Sequence, residues 1–139
     1  SARSVAVFVS IILVIVLSLI TITRNQDWRS PLTLYAHDVN ISTESYDLEN
    51  SYAKELLLIK QYDEAHPHLK KSIKLAPTYW VNWGNLGVYY EGKGQIDQSI
   101  EAFNTAIKNN PYYHHAYLSL AKIYFYHKVS ITETYKTII

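Results

Sequence analysis

The first 23 residues have a different pattern from the rest of the chain. Ser4 to Thr23, SVAVFVSIILVIVLSLITIT, runs for 20 residues without a charge. A helix of that length reaches about 30 Å, the thickness of bilayer hydrocarbon. Arg3 and Arg24 bracket the run, and Trp28 comes one turn later, where interfacial aromatics sit. Its residues are mostly β-branched and form no polar face, unlike an amphipathic core helix. The run is also longer than a signal-peptide core and lacks an A-x-A cleavage site. The expectation is a transmembrane helix over 4–23 in contact with lipid. Arg3 lies before it and Arg24 and Arg29 after it, so the positive-inside rule leaves orientation open. Ser10, Ser18, Thr21 and Thr23 can bond back to their own helix, so the span reads as an anchor, not a transport path. In the linker, 24–45, Ser30-Pro31 has the signature of an N-cap and first helical residue. Leu32, Tyr35 and Val39 then share one stripe, predicting a short helix from Pro31 to about Val39 that packs on the domain beyond residue 45.

Beyond the linker the pattern repeats. QYDEAHPHLKKSIKLAP (Gln61–Pro77) and QIDQSIEAFNTAIKNNP (Gln95–Pro111) share Gln, Asp, Ile, Lys and Pro at an offset of 34 residues. Thirty-four is the tetratricopeptide period, and the central copy resembles that motif closely. Trp83, Leu86, Gly87 and Tyr90 give W-x2-L-G-x2-Y, while Ser99, Phe103, Ala106 and Pro111 take the small, aromatic, small and proline places of a second helix. Trp83, Leu86 and Tyr90 fall on one helical face. Gly87 is expected where a neighbouring helix crosses closely, with Ser99 and Ala106 giving the same closeness from the other side. Gly92 and Gly94 should break the first helix, Asp97 should cap or charge-stabilise the second, and Pro111 should stop it.

The flanking copies are weaker. Glu49, Tyr52, Ala53 and Leu56 stand where the central copy has Trp83, Leu86, Gly87 and Tyr90, and Pro67 sits in the first turns of that copy's second helix. The third copy opens well with Tyr117, Leu120, Ala121 and Tyr124, but its second helix, expected around 131–139, has Glu133 where a small residue belongs. The resemblance covers 46–139, divided as 46–79, 80–113 and a partial 114–139. The expected fold is therefore all-α: an N-terminal transmembrane helix, then a helix-turn-helix solenoid of about two and a half repeats.

Composition narrows the chemistry. The 139-residue chain has 13 Lys+Arg against 12 Asp+Glu, a net charge of +1, which argues against nucleic acid as a partner. Cysteine is absent, excluding disulfides, Cys-based zinc sites and thiol catalysis. Methionine is absent too, so the chain reads as a processed product or a fragment. His66 and His68 are two apart on a helix, and His114 and His115 are adjacent; both pairs diverge, and no metal-ligand spacing appears. Gly84, Gly87, Gly92 and Gly94 form no phosphate loop. No metal, cofactor or catalytic residue is expected, and this chain alone is not expected to be an enzyme. Asn40-Ile41-Ser42 is a glycosylation sequon, meaningful only in a eukaryotic lumen. Most of the 13 tyrosines are assigned to packing.

The tetratricopeptide resemblance implies a concave groove lined by the first helices, here Asp47–Ile59, Val81–Tyr90 and His115–Tyr126. Helical spacing turns Asn50, Lys54 and Leu57, then Val81, Asn85 and Val88, then His115, Ser119, Lys122 and Phe125 toward it. Asn50, Lys54, Asn85 and Lys122 resemble fragments of a carboxylate clamp, with His115 and Ser119 in place of the expected basic pair. Asn85 and Lys122 are expected to be free of core duty. A mixed apolar and amide groove for an extended or helical protein segment is the preferred reading.

The linker adds a second resemblance. Arg24-Asn25-x-Asp27-Trp28, with Leu32, Leu34 and Tyr35 after it, is similar to the segment joining the last membrane helix to the repeats in polytopic O-mannosyltransferase-like glycosyltransferases that carry tetratricopeptide repeats. It implies that this chain is the C-terminal part of such a protein, with extracytoplasmic repeats and no catalytic residue of its own. The leading expectation is a membrane-anchored scaffold for protein–protein interaction. The alternatives are a non-catalytic accessory domain of such a transferase, or an import-type receptor with a single anchor.

Overall fold

The computed structural model describes residues 2–27 and 30–138, and among side chains those of 5–23, 25 and 30–126. All elements among the described residues are helices. The first, α1 (Ala2–Asp27), is one continuous helix, and its stretch Val5–Thr23 has a mean hydropathy of 3.2 with none of it buried. Thr21 and Thr23 donate to carbonyls one turn back, at Leu17 and Leu19, so the hydroxyls near its end are satisfied within the helix. Arg3, Arg24 and Trp28, which frame the run in sequence, lie outside the described side chains.

Six more helices follow among the described residues: α2 (Pro31–Ile41), α3 (Tyr46–Leu58), α4 (Tyr62–Leu75), α5 (Trp80–Gly92), α6 (Ile96–Asn109) and α7 (His114–Ile138). Ser30 caps α2 as its sequence suggests, its Oγ accepting from the Thr33 amide at 3.2 Å. Val39 is buried, and Leu32 and Tyr35 pack beside it on the core of the first helix pair. Helix α2 thus sits on α3 as α4 sits on α5 and α6 on α7.

The pairs α3–α4 and α5–α6 pack antiparallel, joined by turns that match at the 34-residue offset. Gly94 turns at φ +73°, and its counterpart Lys60 adopts φ +62° without being a glycine. Gly92 does not break α5 but ends it, and the break falls at Lys93–Gln95. Gln95 is the N-cap residue of α6 and makes no side-chain cap bond; Asp97 does not cap and lies in the first turn, where its charge opposes the helix dipole favourably.

Ala53, Leu56, Ala65 and Leu69 form one core with Leu86, Tyr89 and Ala102, and Phe103, Ala106, Ala116, Leu120 and Ile123 form the next. Tyr52 and Tyr89 are buried and Tyr35, Tyr62, Tyr90 and Tyr113 pack against these cores. Tyr79 is half-buried against Tyr46 and Trp80, and Tyr46, Tyr112, Tyr117, Tyr124 and Tyr126 are exposed, so seven of the twelve described tyrosines serve packing.

The third copy departs from expectation. No turn separates a second helix at 131–139; α7 runs unbroken for 25 residues. Tyr126 and Lys128 stand where the central copy has Gly92 and Gly94, but the first copy turns at Lys60 without a glycine, so the residue types at the turn do not account for the continuous helix.

Candidate functional site: the first-helix face

Helices α3 and α5 lie side by side, and α7 continues the row. Asn50 is buried in the seam, and its Oδ1 accepts from the Asn85 Nδ2 at 2.8 Å. One repeat on, Lys122 Nζ donates to Glu91 Oε1 at 2.8 Å, joining α7 to α5. That carboxylate, through the hydrogen bond and then its charge, raises the Lys122 pKa above the usual lysine value. Both residues expected to be free, Asn85 and Lys122, are therefore engaged across repeats. The physical reason is that adjacent first helices approach closely enough for side chains on facing positions to meet each other before they meet a ligand.

The remaining members divide by environment. Val81 and Ser119 are half-buried, and Val88 packs against both cores, while Leu57 is buried. Lys54 and His115 are exposed, and Phe125 is 65% exposed. His115 stacks loosely on Tyr113, with ring centroids 5.9 Å apart. The clamp fragment is not assembled: Asn50 is held by Asn85, and Lys122 by Glu91. What the face offers is a bare cation at Lys54, an imidazole at His115 and an aromatic ring at Phe125, set on a row already cross-linked by polar pairs.

The motif residues of the central copy meet on the other side of α5. Phe103 is fully buried beside Gly87, and Ser99 Oγ donates to the Gly87 carbonyl at 2.9 Å. Ala106 is fully buried beside Phe103 in the second core. The Trp83 indole donates to the Pro77 carbonyl at 2.7 Å, fixing the ring against the preceding turn. Pro111 lies in the turn after α6.

Sequence reasoning missed two polar clusters. Asn82, fully buried, donates to the carbonyls of Ser72 and Ala76, both at 3.1 Å, and accepts from the Ser72 hydroxyl at 2.7 Å. Glu49, 1% exposed, binds Lys71 Nζ at 2.5 Å and His68 Nδ1 at 2.6 Å. The Tyr52 ring meets His68 edge-on, and its hydroxyl donates to Glu64 at 3.1 Å. Burial, and then that hydrogen bond, raises the Tyr52 pKa. The register carried a signal for the second cluster, because Glu49 occupies the place of Trp83 and so had to face inward. Two residues on α4 three apart supply its partners, the Lys71 ammonium its countercharge and the His68 ring a close polar contact. His66, stacked flat on Tyr89 at 4.6 Å, has its pKa lowered by burial and then by Lys70.

Paired helices in a 34-residue register, with a Trp/Gly face closed by a small–aromatic–small second helix, define a tetratricopeptide-type solenoid, an architecture associated with protein-interaction scaffolds. Residues 82–113 match the family model described as tetratricopeptide repeat. Among solved structures, a crystal structure of MamA is similar with a TM-score of 0.64 at 24% identity, over 74% of this chain and 62% of that one. MamA 41-end from Desulfovibrio magneticus RS-1 gives 0.64 at 23% identity, over 86% of this chain and 69% of that one. A double mutant of MamA RS-1 gives 0.54 at 20% identity, over 80% and 72%. The likeness is one of fold, and this chain spans about 62% of the length of the first of these structures. No curated protein matches the sequence. None of these matches supports the O-mannosyltransferase resemblance.

Proposed function

We propose that this chain is a membrane-tethered scaffold that docks a protein segment along its first-helix face. The observation that carries the tether is the apolar stretch Val5–Thr23, which finds no protein surface to bury it. Leaving so many aliphatic side chains in water would cost well over 10 kcal/mol at about 25 cal/mol per Å², and lipid removes that cost. The docking surface is the row from Asn50 and Lys54 through Val81, Asn85 and Val88 to His115, Ser119, Lys122 and Phe125. Its cross-repeat pairs hold the row rigid, so Lys54, His115 and Phe125 can meet a partner without the entropy cost of ordering the backbone. The partner is protein, and the role is binding, not catalysis. We place the repeats on the extracytoplasmic side, in line with the linker's resemblance.

Removing residues 1–27 should release a soluble helical fragment, and a fragment that still required detergent would contradict the tether. A photo-crosslinker at Phe125 should capture a protein from the native membrane that one at the exposed Lys74 of α4 does not; equal capture at both would contradict the face. A second reading, a non-catalytic accessory domain of an O-mannosyltransferase-like glycosyltransferase, is favoured by the Arg24–Tyr35 string alone. A block of hydrophobic spans upstream in the full gene would select it.

A further inference from the structure

In both complete repeats the second helix covers the first along one stripe of three residues. Trp83, Gly87 and Tyr90 form that stripe on α5, and Glu49, Ala53 and Leu56 hold the same places on α3. What lies on it has the same spacing each time. Helix α6 brings Ser99, Phe103 and Ala106, and α4 brings Ala65, Leu69 and Ser72, all six fully buried. The middle pair carries the fit. The Phe103 ring lies over Gly87, close enough to exclude a Cβ there. In the first copy Ala53 does have a Cβ, and the bulky residue of the same core is the smaller Leu69.

Helix α7 carries a third such stripe, Tyr117, Ala121 and Tyr124, left uncovered among the described residues. Tyr117 is 46% exposed, Tyr124 53% and the adjacent Leu118 70%, and Ala121 is exposed as well. The neighbouring side of the same helix is closed on α6 by Ala116, Leu120 and Ile123, so the bare stripe is continuous with a formed core. Because α7 runs unbroken to Ile138, its own second half does not fold back over the stripe. Contiguous apolar surface of this kind marks an interaction site.

The chain shows twice what covers such a stripe, and it also narrows the source. Among the described residues the helices with the matching pattern are α4 and α6, and both are already buried in their own pairs. Two copies of α7 would set rings against rings and Ala121 against Ala121, the reverse of large against small. We infer that the Tyr117–Ala121–Tyr124 stripe docks an amphipathic helix of another protein, antiparallel to α7. That helix presents a small residue, a leucine four places on and a small residue three further. Leucine follows from Ala121, which has the Cβ of Ala53 and not the bare backbone of Gly87. The stripe shares no residue with the row of the docking reading and does not rest on it.

The test uses the full chain in nanodiscs of zwitterionic lipid. The probe is a fluorescent, lactam-stapled helix with Ala, Leu and Ser at the spacing of Ala65, Leu69 and Ser72, and Glu, Gln and Lys elsewhere. Anisotropy should report saturable binding, and no binding at about 0.5 mM chain would overturn the proposal. Tyr124→Glu should weaken binding at least threefold, whereas Tyr112→Glu, at an 82% exposed turn residue, should not; equal effects would overturn the location. On the native chain the leucine probe should bind at least threefold more tightly than a copy with phenylalanine in the middle. Ala121→Gly should remove or reverse that preference, since it recreates the place that Gly87 gives Phe103, and an unchanged preference would overturn the fit. This arm stands whether or not Tyr124→Glu folds. Energy transfer between differently labelled copies in liposomes, removed by Tyr124→Glu, would give the stripe to a second copy. Broadening of the Ala121 methyl signal by spin-labelled lipid would give it to the bilayer, and either result overturns the assignment.

Discussion

Replacing Gly87 by alanine sets two effects of similar size against each other. Gly87 lies in the interior of α5, where alanine is the better helix former by about 1 kcal/mol. On an isolated helix the substitution would stabilise. Here a Cβ at that position would stand 2.7 to 2.8 Å from three atoms of the Phe103 ring, inside any normal contact. Phe103 is fully buried in the core shared with α7, so its ring cannot swing out to solvent. Either α5 and α6 separate, weakening the Ser99–Gly87 bond, or the ring leaves its rotamer. Overpacking of this kind costs about 1–3 kcal/mol. The net should be a loss of up to about 2 kcal/mol and about 1 kcal/mol at the middle of that range, or about 4–8 °C in melting temperature for a domain of this size. Thermal melts monitored by near-ultraviolet circular dichroism would read it. Adding Phe103→Leu should make the Gly87→Ala step less costly, a favourable coupling of at least about 0.5 kcal/mol between residues in contact. A higher melting temperature for Gly87→Ala in the otherwise native chain would refute the close crossing and the register built on it.

Three further outcomes rest on the same geometry. Asn82→Ala should cost roughly 1–2 kcal/mol in urea unfolding, because three buried hydrogen bonds are lost together while the Ser72 hydroxyl keeps the Tyr46 carbonyl and both carbonyls keep a backbone N–H. Lys60→Gly should stabilise by roughly 0.5–1 kcal/mol in the same assay and Gly94→Ala destabilise by about 1, since both positions hold positive φ and only glycine does so freely. The pKa of His66 is depressed in the folded protein, so the unfolded chain binds the proton more readily. Its contribution to stability is therefore complete above about pH 6.5 and lost as pH falls below it. Acidification from pH 7.5 to 5.5 should lower the melting temperature of the native chain more than that of His66→Gln, and equal drops would show that this imidazole is not the group responsible.

Much of the fold can be read because a repeat states its own rules twice. Trp83, Leu86, Gly87 and Tyr90 with Ser99, Phe103, Ala106 and Pro111 carry enough spacing to define a helix pair, and Ser30-Pro31 states where α2 begins. The first copy is harder to read because Glu49 replaces Trp83: the register turns it inward, but only the structure shows Lys71 and His68 meeting it there. The continuous α7 escapes because the 34-residue period extends past the last turn, and Lys128 repeats the Lys60 that does turn in the first copy, so no residue type marks the difference. The candidate face is legible as a set of positions but not as a set of bonds. Helical spacing says that Asn50, Asn85 and Lys122 lie along one row; it does not say that Asn50 and Asn85 bond to each other, or that Glu91 reaches Lys122 first.

Helix α2 has a consequence for how such an array can lengthen. It rests on α3 where the second helix of a preceding repeat would rest, burying Val39 and packing Leu32 and Tyr35 there, yet it belongs to no repeat itself. A duplicated 34-residue unit inserted ahead of α3 would have to evict it and would sever the short path from α1 to the first core. At the other end α7 holds the same kind of place, closing the second core against α6 with Ala116, Leu120 and Ile123. The two complete helix pairs are therefore covered on both sides, and a further pair set directly against either end of them has to displace a helix that already closes a core.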